Sequence, residues 1–261
     1  MIHDIFNKIK VSDFAELCNM AKEIDVSIDD KLLIEEMKTK NKCLERLQER
    51  WEESLRTSPD YSVYGEHCYL NEAFVCWKTY SRRYLKLIKK YISTDEAMAS
   101  VKSIVDLGCG IAYSTLGLKE IFPNASVYGT NMPGTLQYQI DKKVCDGSGC
   151  VIVDDNLSAP GKIEMVVAFE FFEHIVSPVE LLLDIIRAYN PKYIVFANTF
   201  NNMAIGHFNE YKHNGITLTG RQTSRLFGNT LRNNGYRKVD TGFFNNRPCI
   251  YKKTHHTSRL F

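Results

Sequence analysis

The chain has 261 residues, 44% of them hydrophobic and 25% charged, with a net charge of +2. That suits a soluble globular protein with one large α/β domain and an appended region. It excludes a membrane span, because no segment approaches about 18 uninterrupted apolar residues. The start, Met1-Ile2-His3-Asp4, has no apolar run of the signal-peptide kind, and eight scattered cysteines lack any C-x-x-C pair. These features predict reduced thiols in a cytoplasmic protein rather than a disulfide or zinc scaffold.

Residues 1–94 read as helical throughout. Ser12 is placed to cap a short helix, and Ser27 with Asp30 to open a longer one. Leu44, Leu47, Trp51 and Leu55 then recur at three- and four-residue steps until Ser58-Pro59-Asp60 breaks the pattern. A further helix, about His67 to Ile92, carries an aromatic stripe that includes Phe74, Trp77, Tyr80 and Tyr84. It also carries six Lys/Arg between Ala73 and Thr94 with no acid. That helix packs as core, or forms a lid whose tyrosines and cations wall a substrate pocket.

From Lys102 strands and helices alternate. The predicted strands are 102–107, 125–129, 151–153, 163–169 and 193–197, with helices at 114–122 and 135–143 between them. Ser177, Pro178 and Glu180 predict a capped helix start, and Thr219 with Gln222 a second capping box for a helix ending at Gly235. Tyr236–Phe243 and Cys249–Lys252 close the chain as a hairpin through Asn245-Asn246-Arg247-Pro248. This alternation implies a mostly parallel sheet covered on both faces.

Charge is uneven. Residues 212–261 hold ten Lys/Arg against one acid, whereas residues 1–60 hold ten against fourteen. The basic half is a solvated surface or serves an anionic substrate.

The first predicted strand runs into Val105-Asp106-Leu107-Gly108-Cys109-Gly110. A strand ending in an acid and then in close-set glycines brings bare backbone, and a helix N-terminus, up to a ligand. A dinucleotide turn would need a third glycine where Tyr113 stands. The acid instead suits a ligand with a positive amino group and sulfonium.

From about residue 100 to 253 the chain resembles the class I S-adenosylmethionine-dependent methyltransferases, on Asp106-x-Gly108-x-Gly110 and the closing hairpin. The resemblance implies a Rossmann-like α/β fold: a seven-stranded, mostly parallel sheet with a C-terminal antiparallel hairpin. This methyltransferase domain spans 95–261, preceded by a helical region over 1–94 that serves as lid or substrate region. It also implies S-adenosylmethionine as cofactor, with Asp106, Gly108, Gly110, Tyr113 and Phe169 in contact with it. Asn131 would take the ribose-binding place usually held by an acid, losing the strength of a charged acceptor. Of Asp154 and Asp155, followed by Asn156, one would meet the adenine amino group and the other cap a turn.

The fourth strand leads into Phe169-Glu170-Phe171-Phe172-Glu173-His174, resembling the E-x-x-E-H segment of several methyltransferase families. Two carboxyls and an imidazole so close together need a neutralising partner. In small-RNA terminal 2′-O-methyltransferases and ubiquinone-pathway O-methyltransferases, Glu170, Glu173 and His174 would match metal ligands. The RNA family adds a histidine before the last helix, for which His213 is the candidate and His207 the second. Mg²⁺ or Mn²⁺ there would lower the pKa of an acceptor hydroxyl. Otherwise the pair is a structural helix start, or His174 acts directly as acid–base or orienting group.

No Pro-Pro-Tyr/Phe follows the fourth strand, and Pro248-Cys249 lies in the hairpin, which sets DNA-base methylation aside. The expected activity is O-methylation of a small or anionic hydroxylated acceptor. The alternatives are an RNA 2′-O-type enzyme with a divalent metal, and a non-catalytic methyltransferase-like partner subunit. Oligomeric state is left open.

Overall fold

The computed structural model describes residues 40–243 and 247–254. The expected caps at Ser12, Ser27 and Asp30, the Asn245-Asn246 turn and the tail past 254 lie outside the described residues.

Helix α1 (Lys40–Ser54) buries Leu47 and Trp51, with Leu44 and Leu55 packed alongside, as the apolar stripe requires. Trp51 is fully buried, and its indole N–H donates to the His207 carbonyl at 2.7 Å, 156 residues away. The Ser58–Asp60 break leads into a tight turn, Tyr61–Gly65, capped by the Asp60 side chain. Arg50 on α1 holds both Asp60 and Glu66 at 2.7 Å, fixing that turn against the helix. These pairs are a third or more exposed, so each contributes under about 1 kcal/mol.

The aromatic helix forms as α2 (His67–Cys76) and α3 (Arg82–Ile92), joined without a break by a widened turn at Trp77–Ser81. A short α4 (Glu96–Ala99) is capped by Asp95. The alternating region gives β1 (Ser103–Leu107), α5 (Tyr113–Ile121), β2 (Ser126–Thr130), α6 (Leu136–Cys145), β3 (Cys150–Val153) and β4 (Met165–Phe169). Then come α7 (Pro178–Tyr189), β5 (Tyr193–Ala197), β6 (Glu210–His213), β7 (Ile216–Thr219), α8 (Gly220–Asn233), β8 (Tyr236–Lys238) and β9 (Cys249–Lys253).

Seven strands form one sheet in the order β3-β2-β1-β4-β5-β9-β8, parallel except for β9, which runs against β5 and β8. This is the sheet the methyltransferase resemblance implies. Successive strand residues feed opposite faces. Ile104, Met165, Val167 and Val195 join one core with α3, α5 and α6, while Val105, Val166, Ala168 and Ile194 join the other with α1, α7 and α8. The described N-terminal helices therefore pack into both cores of the sheet.

Two local expectations change. The segment before α8 contains an unforeseen hairpin, β6–β7, turned by Asn214 and Gly215 at φ 48° and 77°. The capping box expected at Ser177 does not form: Ser177 makes no side-chain cap bond, and Glu180 accepts the Asn214 amide at 2.8 Å instead. The Thr219–Gln222 capping box forms as expected. Among the described residues no helix is long and apolar enough to cross a membrane. The thiols of Cys43, Cys109, Cys145 and Cys150 are free and buried.

Candidate active site

A cavity of about 650 Å³ opens at the carboxyl ends of β1, β2 and β4, the edge where open α/β sheets bind ligands. Its floor is the glycine turn. Gly108, Gly110 and Ala112 all take left-handed φ, 61°, 63° and 61°, and this alternation swings the chain back into α5. A Cβ on Gly108 would lie 2.3 Å from Cδ2 of Phe171, so only glycine fits. Strain of about 1–3 kcal/mol at a non-glycine residue such as Ala112 is of the kind stored at functional sites.

Asp106 is buried; its Oδ2 accepts the Ser114 and Thr115 hydroxyls at 2.6 and 2.8 Å. Burial still pushes its pKa up to about 6, against the pull of those two hydroxyls. A cationic ligand would restore the carboxylate.

Asp106, Gly108, Gly110, Tyr113, Asn131, Asp154, Asp155, Asn156, Phe169, Glu170 and His174 all line the cavity. Within it, several are already committed. The Asn131 amide donates to the Gly110 carbonyl at 2.6 Å and to Asp141 Oδ2 at 2.9 Å, while its Oδ1 accepts the Met132 amide. Asn131 is thus first a tie across the glycine turn, with one lone pair left for a hydroxyl. Asp155 caps its own turn by accepting the Leu157 amide, and Asp154 accepts the Tyr138 hydroxyl. Asn156 accepts the Thr130 hydroxyl at 2.7 Å.

The second wall is the segment after β4. Glu170 is held at φ 48°, and its Oε1 accepts the Tyr84 hydroxyl from α3 at 2.9 Å. Burial raises its pKa, with Tyr84 and Arg247 opposing. Glu173 lies one layer behind, fully buried. Its Oε1 accepts the Thr199 amide at 3.0 Å, and its Oε2 has no hydrogen-bond partner among the described residues. Burial and then the neighbouring Glu170 charge raise its pKa well above the ordinary carboxylate value.

His174 Nδ1 stands 3.0 Å from the Tyr64 hydroxyl, which itself donates to the Gly206 carbonyl. With the Tyr64 hydroxyl donating to that carbonyl, the hydroxyl oxygen is free to accept from Nδ1, the tautomer that leaves Nε2 unprotonated. Burial pushes the His174 pKa down to about 3, and His207, whose ring stands edge-on at 4.6 Å, adds to the shift. The imidazole is neutral across the working range.

The expected metal set does not assemble. His213 sits on β6 with Nδ1 2.9 Å from Glu180, off the cavity wall. The second-choice His207 is the one near His174, but its Nδ1 donates to the Asn202 carbonyl at 2.8 Å. Among the described residues no three His, Cys, Asp or Glu groups are placed to hold a metal ion. These residues do not fit a resident divalent cation.

Sequence reasoning missed Tyr64 and Asp141. Asp141 is fully buried, pushed up to about 7 by burial, and braces both Asn131 and the Cys109 thiol. Its place on one face of α6 gave no signal beyond an acid among apolar neighbours. The aromatic helix, expected as core or as a lid of tyrosines and cations, contributes rings to the cavity. Tyr80 and Trp77 face the cavity, while Arg247 is the one Lys or Arg lining it among the described residues.

No protein-family model matches the chain, and no curated protein matches it. Solved structures similar to it include the mitomycin 7-O-methyltransferase MmcR, at 14% identity over 80% of this chain and 68% of that one, TM-score 0.47. Another is the O-methyltransferase from the trans-AT PKS multienzyme of Brevibacillus brevis in complex with S-adenosyl-L-homocysteine. It is 17% identical over 66% of this chain and 56% of that one, TM-score 0.45. A SAM-dependent methyltransferase from Aquifex aeolicus is 11% identical over 61% and 86%, TM-score 0.40. The chain spans about half the length of the StiE O-MT segment it matches, 48%, and 38% of EvdMO1.

Proposed function

We propose that the chain is an S-adenosylmethionine-dependent methyltransferase acting on a hydroxyl of a small acceptor. The observation that carries this reading is one cavity lined both by the glycine turn at Gly108 and by His174. The residues present fit the cofactor. Gly108 and Gly110 leave backbone uncovered for its amino-acid half, an ammonium would further favour the Asp106 carboxylate, and Asp154 and Asn156 line the cavity for its adenosine end. When bound, S-adenosylmethionine supplies an electrophilic methyl group on a sulfonium.

The chain's own groups do the rest. Tyr64 holds the His174 ring by Nδ1, so that Nε2, too weak a base to ionise a free hydroxyl, accepts its hydrogen bond and takes its proton as the methyl–oxygen bond forms and the oxygen turns acidic. Glu170, pinned by Tyr84, orients the acceptor from the opposite side. Tyr69, Trp77 and Tyr113 keep the pocket dry, which strengthens each polar contact within it. A small molecule is favoured over a polynucleotide by the enclosed cavity, whose lining among the described residues holds a single Lys or Arg, Arg247.

Transfer of labelled methyl from S-adenosylmethionine to a panel of phenols and alcohols tests it. Turnover by the native chain, lowered at least about 100-fold in His174→Ala, is the expected result, within the range of general-base contributions.

A further inference from the structure

We infer that the acceptor is an amphipathic hydroxyl compound, its hydroxyl at the inner end of the cavity and an apolar body running out between Tyr61, Tyr80 and Val176 at the mouth; this rests on the methyltransferase reading above. Those three side chains line the cavity and yet remain exposed, at 39%, 43% and 36%. A lone exposed apolar side chain is ordinary. Three that reach one opening from three separate segments form the kind of patch that marks a ligand groove. Met132 is also exposed and lines the same cavity, but it follows Asn131 on the cofactor side.

Ring contacts lead from both polar groups of the inner end to this mouth. The Tyr64 hydroxyl meets His174 Nδ1 at 3.0 Å, and the Tyr64 ring stacks with exposed Tyr61, centroids 6.4 Å apart and planes at 17°. On the other wall Tyr84 donates to Glu170 at 2.9 Å and stacks with exposed Tyr80, at 6.4 Å and 25°. Val176 lies two residues past His174, and its carbonyl accepts the Lys212 amide at 2.7 Å. The turn that carries Tyr61 is braced by Arg50 through Asp60 and Glu66. The mouth is therefore fixed by hydrogen bonds and ion pairs of the fold itself, which lowers the ordering cost of binding. An acceptor that presents its hydroxyl to His174 leaves its remaining length along these rings. An apolar body there removes their faces and Val176 from water, a gain that a polar body forgoes.

Three probes share a phenol and differ in what extends from it: phenol itself, 4-butylphenol (apolar) and arbutin, whose extension is a glucose (polar). Each is titrated calorimetrically into chain saturated with S-adenosylhomocysteine. Burial of a methylene is worth about fourfold in affinity when complete and about twofold at a half-exposed rim, so 4-butylphenol should bind about tenfold tighter than phenol. Arbutin should bind no tighter than phenol. Tyr61→Ser, Tyr80→Ser and Val176→Ser should each cut the butyl advantage at least about threefold while S-adenosylhomocysteine affinity stays within about twofold. Equal affinities, preference for arbutin, binding of none of the three, or a butyl advantage that survives in all three variants overturns the inference. So does a flat series combined with co-sedimentation of the chain with phosphatidylcholine vesicles, since the mouth would then serve a lipid surface. Failure of S-adenosylhomocysteine itself to bind would strike the methyltransferase reading instead, and the same series on unliganded chain would still decide what the mouth accepts.

Discussion

The Tyr64 hydroxyl lies 3.0 Å from His174 Nδ1, and this contact joins the N-terminal helical region to the sheet edge. It spans 110 residues of sequence, and through Arg50, Asp60 and Glu66 it is braced from α1. The imidazole is thereby oriented by a segment outside the alternating region.

Gly206 tests that arrangement without touching the cofactor end. A Cβ there would fall 2.3 Å from the Tyr64 oxygen and 2.6 Å from His174 Nδ1, at a φ of 84°. Gly206→Ala should lower kcat about 10- to 100-fold, as expected when a base loses its orientation. S-adenosylhomocysteine affinity by calorimetry should stay near the native value. An unchanged kcat would remove His174 from the proposed mechanism.

His213 provides the opposite case. Its partner is Glu180, which also fastens the β6–β7 turn through Asn214. His213→Ala should keep native turnover and cost up to about 1 kcal/mol in stability, the worth of a partly exposed pair. A collapse of turnover with normal folding, measured in steady-state kinetics, would return His213 to the active site.

Stability should also fall with pH in a way traceable to Asp141. Its folded pKa is pushed up to about 7 from an ordinary 3.8. A carboxyl raised on folding stabilises fully below the unfolded value, and that stability is lost as pH rises through the folded one. The buried His174 and His207 are lowered, so they act in the opposite sense below about pH 6.5 and fall silent above it. The difference between native and Asp141→Asn chain isolates the carboxyl. From pH 5 to 8 the native chain should lose about 2 kcal/mol relative to the variant. Parallel denaturation profiles would contradict this.

Much of the fold was legible because its signals are local. The strands and helices from Lys102 onward follow from apolar period, glycine, proline and the Thr219–Gln222 cap, and the structure reproduces them within a few residues. The β6–β7 hairpin was missed although Asn214-Gly215 is a strong turn signal. Its strands are only four residues each, too short for the alternation of Ile216-Thr217-Leu218-Thr219 to stand out from a loop. Glu180 was misread because its carboxylate accepts a long-range donor, the Asn214 amide, instead of the local cap amide. At the site, glycine spacing and the Glu-His segment marked the two walls. What braces them, Tyr64 at His174 and Asp141 at Asn131, depends on side chains meeting across the fold, where spacing carries no information.

Gly108 concentrates the steric demand of the glycine turn. With φ at 61° and the Phe171 ring 2.3 Å from where a methyl group would stand, Gly108→Ala forces either the ring or the turn to move. Loss of about 1–3 kcal/mol in stability should accompany weakened cofactor binding, read by thermal denaturation with and without S-adenosylhomocysteine. A variant with native stability and native ligand-induced shift would contradict the close packing of this turn.

The most direct measurement is calorimetric titration of S-adenosylhomocysteine into the purified chain. One saturable site per chain is expected, lost in Gly108→Ala and retained in His174→Ala. Absence of binding to the correctly folded native chain would contradict the claim that this cavity holds S-adenosylmethionine.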